Sequence, residues 1–133
     1  MPATHGYSGT PLFKKLGLKP GLRCLTIRAP DHYEALLEGV EDVAISNRFR
    51  QADVVHLFCL RRRDLERRLE GALAKVADGG ALWVSWPKKS SSMFIDLTED
   101  QLREVILPTG WVDVKVCAVD ADWSGLKFMR RKN

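Results

Sequence analysis

The chain has 133 residues, 45% of them hydrophobic and 29% charged, with a formal net charge of +4. That length supports one domain whose core needs no staples, and the mild charge, spread along the chain, describes a solvated surface rather than a polyanion-binding face. Three cysteines without a C-x-x-C pair exclude a disulfide framework and a zinc site, and no run nears the ~20 apolar residues a membrane span needs.

Residues 1–10 are polar and read as a loose arm without the apolar core of a signal peptide. Residues 12–16 read as a short helical turn stopped by Gly17, so residues 1–17 are assigned to an N-terminal arm on a single domain spanning 1–133. A strand follows at 24–28. Asp31-His32-Tyr33-Glu34 then resembles a capping box, opening a helix that turns Tyr33, Leu36 and Leu37 inward and ends near Gly39. A short strand at 42–46 precedes the apolar run 53–60, whose valines, Phe58 and Cys59 suit a strand covered on both faces.

The clearest helix covers 62–78, with Leu65, Leu69, Ala72, Leu73 and Val76 on one stripe and Asp78-Gly79-Gly80 as its stop. A buried strand at 81–86 is closed by Pro87, and a polar loop runs from Lys88 to Met93. Thr98-Glu99-Asp100-Gln101 is a second capping box, flanked by Leu97 and Leu102 as a hydrophobic staple, and its helix runs to about Leu107. Strands at 112–119 and 126–130 are joined by a loop short enough to pair them antiparallel.

Strands alternating with helices give a minimal Rossmann-like, three-layer α/β domain. Its sheet should hold about five parallel strands, with the antiparallel C-terminal strand at an edge. Residues 47–52, between the second and third strands, must cross the sheet extended, with no room for a helix.

The segment Leu18-Lys19-Pro20-Gly21 entering the first strand, DVVHLF, DGGALWVSWP and the closing GLKFMRR together resemble the core of class I S-adenosylmethionine-dependent methyltransferases, over about residues 18–131. The motifs GYSGTPL, WPKKSS, LPTG, VDVKVCAVD and WSGLKF resemble more closely a family of short bacterial domains of unknown function. These resemblances imply the fold and assign no activity. Two features depart from the methyltransferase pattern. Arg28-Ala29-Pro30 stands where a glycine turn should let backbone approach the cofactor, and the short 47–52 link replaces a helix, a strand and a helix. No cofactor is therefore expected; the alternative is S-adenosylmethionine in a remodelled pocket.

Ligands of open parallel sheets sit outside the carboxyl ends of the strands. The densest donors there are Lys88, Lys89, Ser90 and Ser91, after the 81–86 strand, which suit a phosphate or carboxylate, with Trp86 and Trp123 as pocket walls and residues 6–10 as a cover. Asp96 is placed near Lys88 or Lys89, and Asp120 and Asp122 as turn formers. His56, mid-strand, reads as a hydrogen-bonded core residue, His5 and His32 as surface residues, and Trp83 as core. Glu66 and Glu70 interleave with the arginines of the 62–78 helix, which argues against nucleic acid.

The functional expectation is a non-catalytic, cytoplasmic domain binding a small anionic ligand or a protein partner, without metal or membrane. The alternative is a divergent S-adenosylmethionine-dependent methyltransferase.

Overall fold

The structure, a computed structural model, describes residues 9–132. Six strands form one sheet: β1 (Arg23–Ile27), β2 (Ala44–Ser46), β3 (Ala52–Phe58), β4 (Val76–Pro87), β5 (Trp111–Ala118) and β6 (Trp123–Arg130), in the order β2-β1-β3-β4-β6-β5. The pairs β1·β2, β1·β3 and β3·β4 are parallel, and β6 runs antiparallel to both β4 and β5. β5 therefore runs with the first four strands, and β6 is the one reversed strand, as the α/β reading requires.

β6 is not at the edge, however. Half of its residues are buried and one is exposed, while half of β5 is exposed and one residue is buried. The composition explains the swap: Leu126 and Phe128 need cover from both sides, whereas Asp113 and Lys115 tolerate the sheet's margin. Gly125 permits the close fit, since a Cβ there would lie 3.3–3.4 Å from Val119, Ser85 and Trp83.

Four helices cover the two faces: α1 (Leu12–Lys15), α2 (Tyr33–Leu36), α3 (Arg62–Ala74) and α4 (Glu99–Ile106). Leu65, Leu69, Leu102 and Ile106 of α3 and α4 pack with Leu57, Leu82 and Phe128 in one core. Leu16, Leu18, Tyr33 and Leu37, from α1, α2 and their flanks, pack with Val54, Phe58 and Trp83 in the other. Residues 12–18 thus belong to the fold rather than to an arm; residues 1–8 lie outside the described residues, and with them His5 and most of the expected cover at 6–10. The link between β2 and β3 crosses without a helix, and Phe49 packs against the first core.

Two sequence signals are read differently by the fold. α3 ends at Ala74 rather than at Asp78, because Val76 already pairs with Ala52 in the sheet. Asp78-Gly79-Gly80 is an irregularity inside β4, where the register against β3 shifts. Gly79 sits at φ +79°, and a Cβ on Gly80 would lie 2.5 Å from the Asp53 carbonyl. The glycines serve a strand bulge, a role that in sequence looks like a helix stop. The box at residues 31–34 also does not form: α2 is a single turn with His32 at its N-cap and no side-chain cap, and the His32 ring is engaged elsewhere. The second box half-forms. Thr98 Oγ1 accepts from the Gln101 N–H at 3.3 Å, and Leu97 and Leu102 are buried in the same core.

Candidate functional site

β1 connects to β2 on one side of it, and β3 connects to β4 on the other. Their helices lie on opposite faces, α2 in the Tyr33 core and α3 in the Leu65 core. The chain therefore diverges between the carboxyl ends of β1 and β3, which is where open α/β sheets leave a crevice.

A cavity of about 210 Å³ occupies that place. Arg28 and Pro30, just after β1, form one wall; Phe58 and Leu60 close the end of β3; Asp64 and Arg68 project from the first turns of α3; Met93 and Trp123 complete the lining. Arg28 has φ +63°, the left-handed region that glycine enters freely and arginine does not. The turn after β1 thus keeps a glycine-like backbone while carrying a guanidinium. Leu60, at the mouth, leaves 41% of its surface exposed.

Hydrogen bonds hold two of these walls. His32 Nε2 lies 3.0 Å from Asp120 Oδ2, joining the segment after β1 to the β5–β6 turn. Asp120 Oδ1 accepts from the N–H groups of Asp122 and Trp123, both at 2.8 Å, which is the turn-forming role expected of it. Burial opposes the Asp120 charge, but the His32 ring and the two N–H donors outweigh it and hold the carboxyl below the usual carboxylate range. Ser91 Oγ donates to Asp122 Oδ1 at 2.8 Å and accepts from the Met93 N–H at 3.0 Å.

Below the crevice lies a closed polar chain. His56 is fully buried, with Nδ1 2.9 Å from Tyr33 Oη and Nε2 2.8 Å from Ser85 Oγ; Cys24 Sγ lies 3.6 Å from the same Tyr33 oxygen. Burial pushes the imidazole down to about 3 and the Cys24 thiol up to about 11, and raises Tyr33, so all three are neutral. His56 stacks on Phe58 at 4.3 Å between centroids, and Phe58 meets Trp123 edge-on at 4.9 Å. His56 is the satisfied core histidine its position in β3 suggests, and it supports the crevice floor.

The residues singled out in sequence divide between two places. Trp86, Lys88 and Lys89 line a separate cavity of about 430 Å³, which Glu99, Asp100 and Ser124 also enter. Its lining therefore mixes cations with carboxylates. The Ser91 hydroxyl is spent on Asp122 and Met93, Ser90 is exposed, and Trp123 lies in the crevice. The two tryptophans belong to cores on opposite faces of the sheet, so they do not wall one pocket. Asp96 accepts from the Arg62 N–H at 3.1 Å, at the start of α3, rather than pairing with the lysines. Trp83 is core and donates to the Leu16 carbonyl at 3.2 Å. The sequence marks Arg68 only as one of the helix arginines that could touch phosphates, and gives no sign of Asp64 or Met93. The signal available was the order reversal at β1, but it needs the pairing of β1 with both β2 and β3, which no local pattern displays.

The three cysteines are free, and among the described residues no helix is long and apolar enough to cross a membrane. No protein-family model matches the chain, and no curated protein matches it. The motif-level resemblance to short bacterial domains therefore gains no match. Solved structures do match. A SAM-dependent methyltransferase from Aquifex aeolicus is similar at a TM-score of 0.62 and 15% identity, covering 89% of this chain and 87% of that one. The DhpI–SAH complex matches at 0.59 and 12%, covering 92% and 83%. Magnesium protoporphyrin IX methyltransferase from Synechocystis PCC 6803, with bound SAM, matches at 0.56 and 10%, covering 90% and 74%. At these identities the likeness concerns the fold, and the chain has a methyltransferase-like, Rossmann-like core.

Proposed function

We propose that this chain is a binding domain for a small anionic ligand with an apolar body, held in the crevice between β1 and β3. The carrying observation is the pair of guanidiniums, Arg28 and Arg68, that line a pocket otherwise built from Pro30, Phe58, Leu60, Met93 and Trp123. Asp64 is the one acidic lining residue, so the lining is net cationic. Neither arginine has an ion pair among the described residues, whereas Arg62 and Arg103 do. Guanidinium forks match carboxylate and phosphate oxygens, and the rings and thioether suit an apolar body.

The same donor set fits S-adenosylmethionine poorly. Two of its three charges are cationic, the sulfonium and the ammonium, and the lining offers them one carboxylate, Asp64, against two guanidiniums. At the β2 end, where an acidic side chain would hold ribose hydroxyls, stands Ser46, whose Oγ accepts from the Arg48 N–H at 3.0 Å. The second reading, a divergent S-adenosylmethionine-dependent methyltransferase, is favoured by the fold neighbours, whose structures include SAM and SAH complexes.

Calorimetric titration separates the two. The expected result is binding of small aromatic carboxylates or phosphates that weakens at least tenfold in Arg28→Ala/Arg68→Ala, the loss typical of a charge-assisted contact, with no heat from S-adenosylmethionine. Micromolar S-adenosylmethionine binding with methyl transfer to any acceptor overturns the proposal in favour of the second reading. Anion binding that ignores both arginines moves the site, with the Lys88–Lys89 cavity as the next place to substitute.

A further inference from the structure

The hydrogen bonds around Asp120 converge on the crevice from a direction that its lining does not reveal. His32 follows Pro30 by two residues, and Pro30 is a wall. Asp120 receives the Trp123 N–H, and Trp123 is the facing wall. The Ser91 hydroxyl, tied to Asp122 in the same turn, receives the Met93 N–H, and Met93 is a third. A further bond from the Lys88 N–H to the Asp122 carbonyl, at 2.8 Å, ties the loop after β4 to the same turn. Three chain segments distant in sequence are therefore fixed to one another by two carboxylates, one imidazole and one hydroxyl. None of these four groups lines the cavity itself.

We infer that His32 and Asp120 form a clasp that positions the crevice walls, with Ser91 as its second arm; this rests on the crevice being the ligand site. The geometry separates the clasp from ordinary turn chemistry. Asp120 Oδ1 alone satisfies the turn, through Asp122 and Trp123. Oδ2 is left for His32, whose side chain is 52% exposed and packs in neither core. An exposed histidine contributes little to the core, so the bond across the crevice is what its ring does here. Breaking it frees the segment after β1 from the β5–β6 turn and leaves both elements in place. Breaking the Ser91 arm releases Met93 instead of Pro30.

The test uses the full chain labelled with 5-fluorotryptophan, whose four ¹⁹F resonances are assigned by single Trp→Phe substitutions. Affinity is read with 8-anilinonaphthalene-1-sulfonate, an aromatic anion. His32→Ala is expected to shift or broaden the Trp123 resonance while leaving those of Trp83 and Trp111 in place, and to weaken the probe about fivefold, the range for a lost part-buried polar contact. His32→Gln, whose amide can still donate to Asp120, should restore both readings. Ser91→Ala should weaken the probe with a smaller change at Trp123. An unmoved Trp123 resonance in His32→Ala overturns the clasp, as does a His32→Gln variant that behaves like His32→Ala. If the wild-type chain does not take up the probe, the crevice reading loses its support, yet the Trp123 resonance still decides whether the clasp holds that wall.

Discussion

Phe58 separates two polar regions that behave in opposite ways. On one side of its ring lies His56, sealed at 0% exposure, with both ring nitrogens partnered by Tyr33 and Ser85. On the other side lie Arg28 and Arg68, exposed and with no ion pair among the described residues. The lower region is saturated and therefore structural: each buried polar group has a mate, and removing one orphans the other. The upper region keeps its hydrogen-bonding capacity open, which is what a ligand requires. The difference teaches that polarity near the strand ends is not by itself a site; the proposed one rests on unspent donors beside an open apolar wall.

The comparison breaks most visibly at His56. His56→Ala removes a buried ring, strands the Ser85 hydroxyl and leaves the Tyr33 hydroxyl only the Cys24 sulfur. Cavity and desolvation terms together should cost about 3–5 kcal/mol. Urea unfolding monitored by circular dichroism reads this directly. A loss under 1 kcal/mol would mean that the chain Cys24–Tyr33–His56–Ser85 is not the tight network its distances describe.

A milder probe of the same region is pH. The imidazole of folded His56 is depressed to about 3, against 6.5 for the ordinary group, so between those values the unfolded chain binds a proton that the folded chain refuses. Stability contributed by the neutral ring is complete above pH 6.5 and falls as pH drops toward 3. The slope is about 1.4 kcal/mol per pH unit for one proton. His56→Gln should remove that slope between pH 6 and 4.5, leaving only the carboxylate contribution. Parallel curves for the two proteins would place the acid sensitivity elsewhere.

How far the sequence revealed these regions depends on the range of the pattern involved. β3 was legible because a near-continuous apolar run, Val54 to Leu60 broken only by His56, has no other comfortable fate than a covered strand, and α3 because its leucines repeat at helical spacing. The reversed β6 followed from the short turn before it. Where a signal had two meanings, the local one misled. Asp78-Gly79-Gly80 looks like a helix stop and is a bulge against Asp53; Asp31 to Glu34 looks like a cap, but His32 turns to Asp120, 88 positions along the chain. The site suffered most, since Lys88 to Ser91 are dense in sequence. The crevice gathers Arg28, Arg68, Met93 and Trp123 from four separate segments, and only the strand order brings them together.

The smallest expected effect gives the sharpest contrast. Arg28 and Asp42 are the two non-glycine residues at positive φ among those described, at 63° and 56°. Aspartate enters that region with a short side chain that can bond its own backbone; arginine has no such relief, and the conformation costs about 1 kcal/mol. A long side chain kept there against its backbone preference is the mark of a role other than stability. Arg28→Gly removes the strain and adds back some unfolded-chain entropy, so the net should be a gain of about 0.5 kcal/mol or less. The same substitution removes one of the two guanidiniums from the crevice and should weaken an aromatic anion severalfold. Stability rising while affinity falls is the signature of a residue held for binding. Thermal unfolding and calorimetry on one pair of proteins measure both. If Arg28→Gly destabilises the fold, Arg28 belongs with His56 on the structural side of Phe58, and the contrast between the two regions fails at its most exposed point.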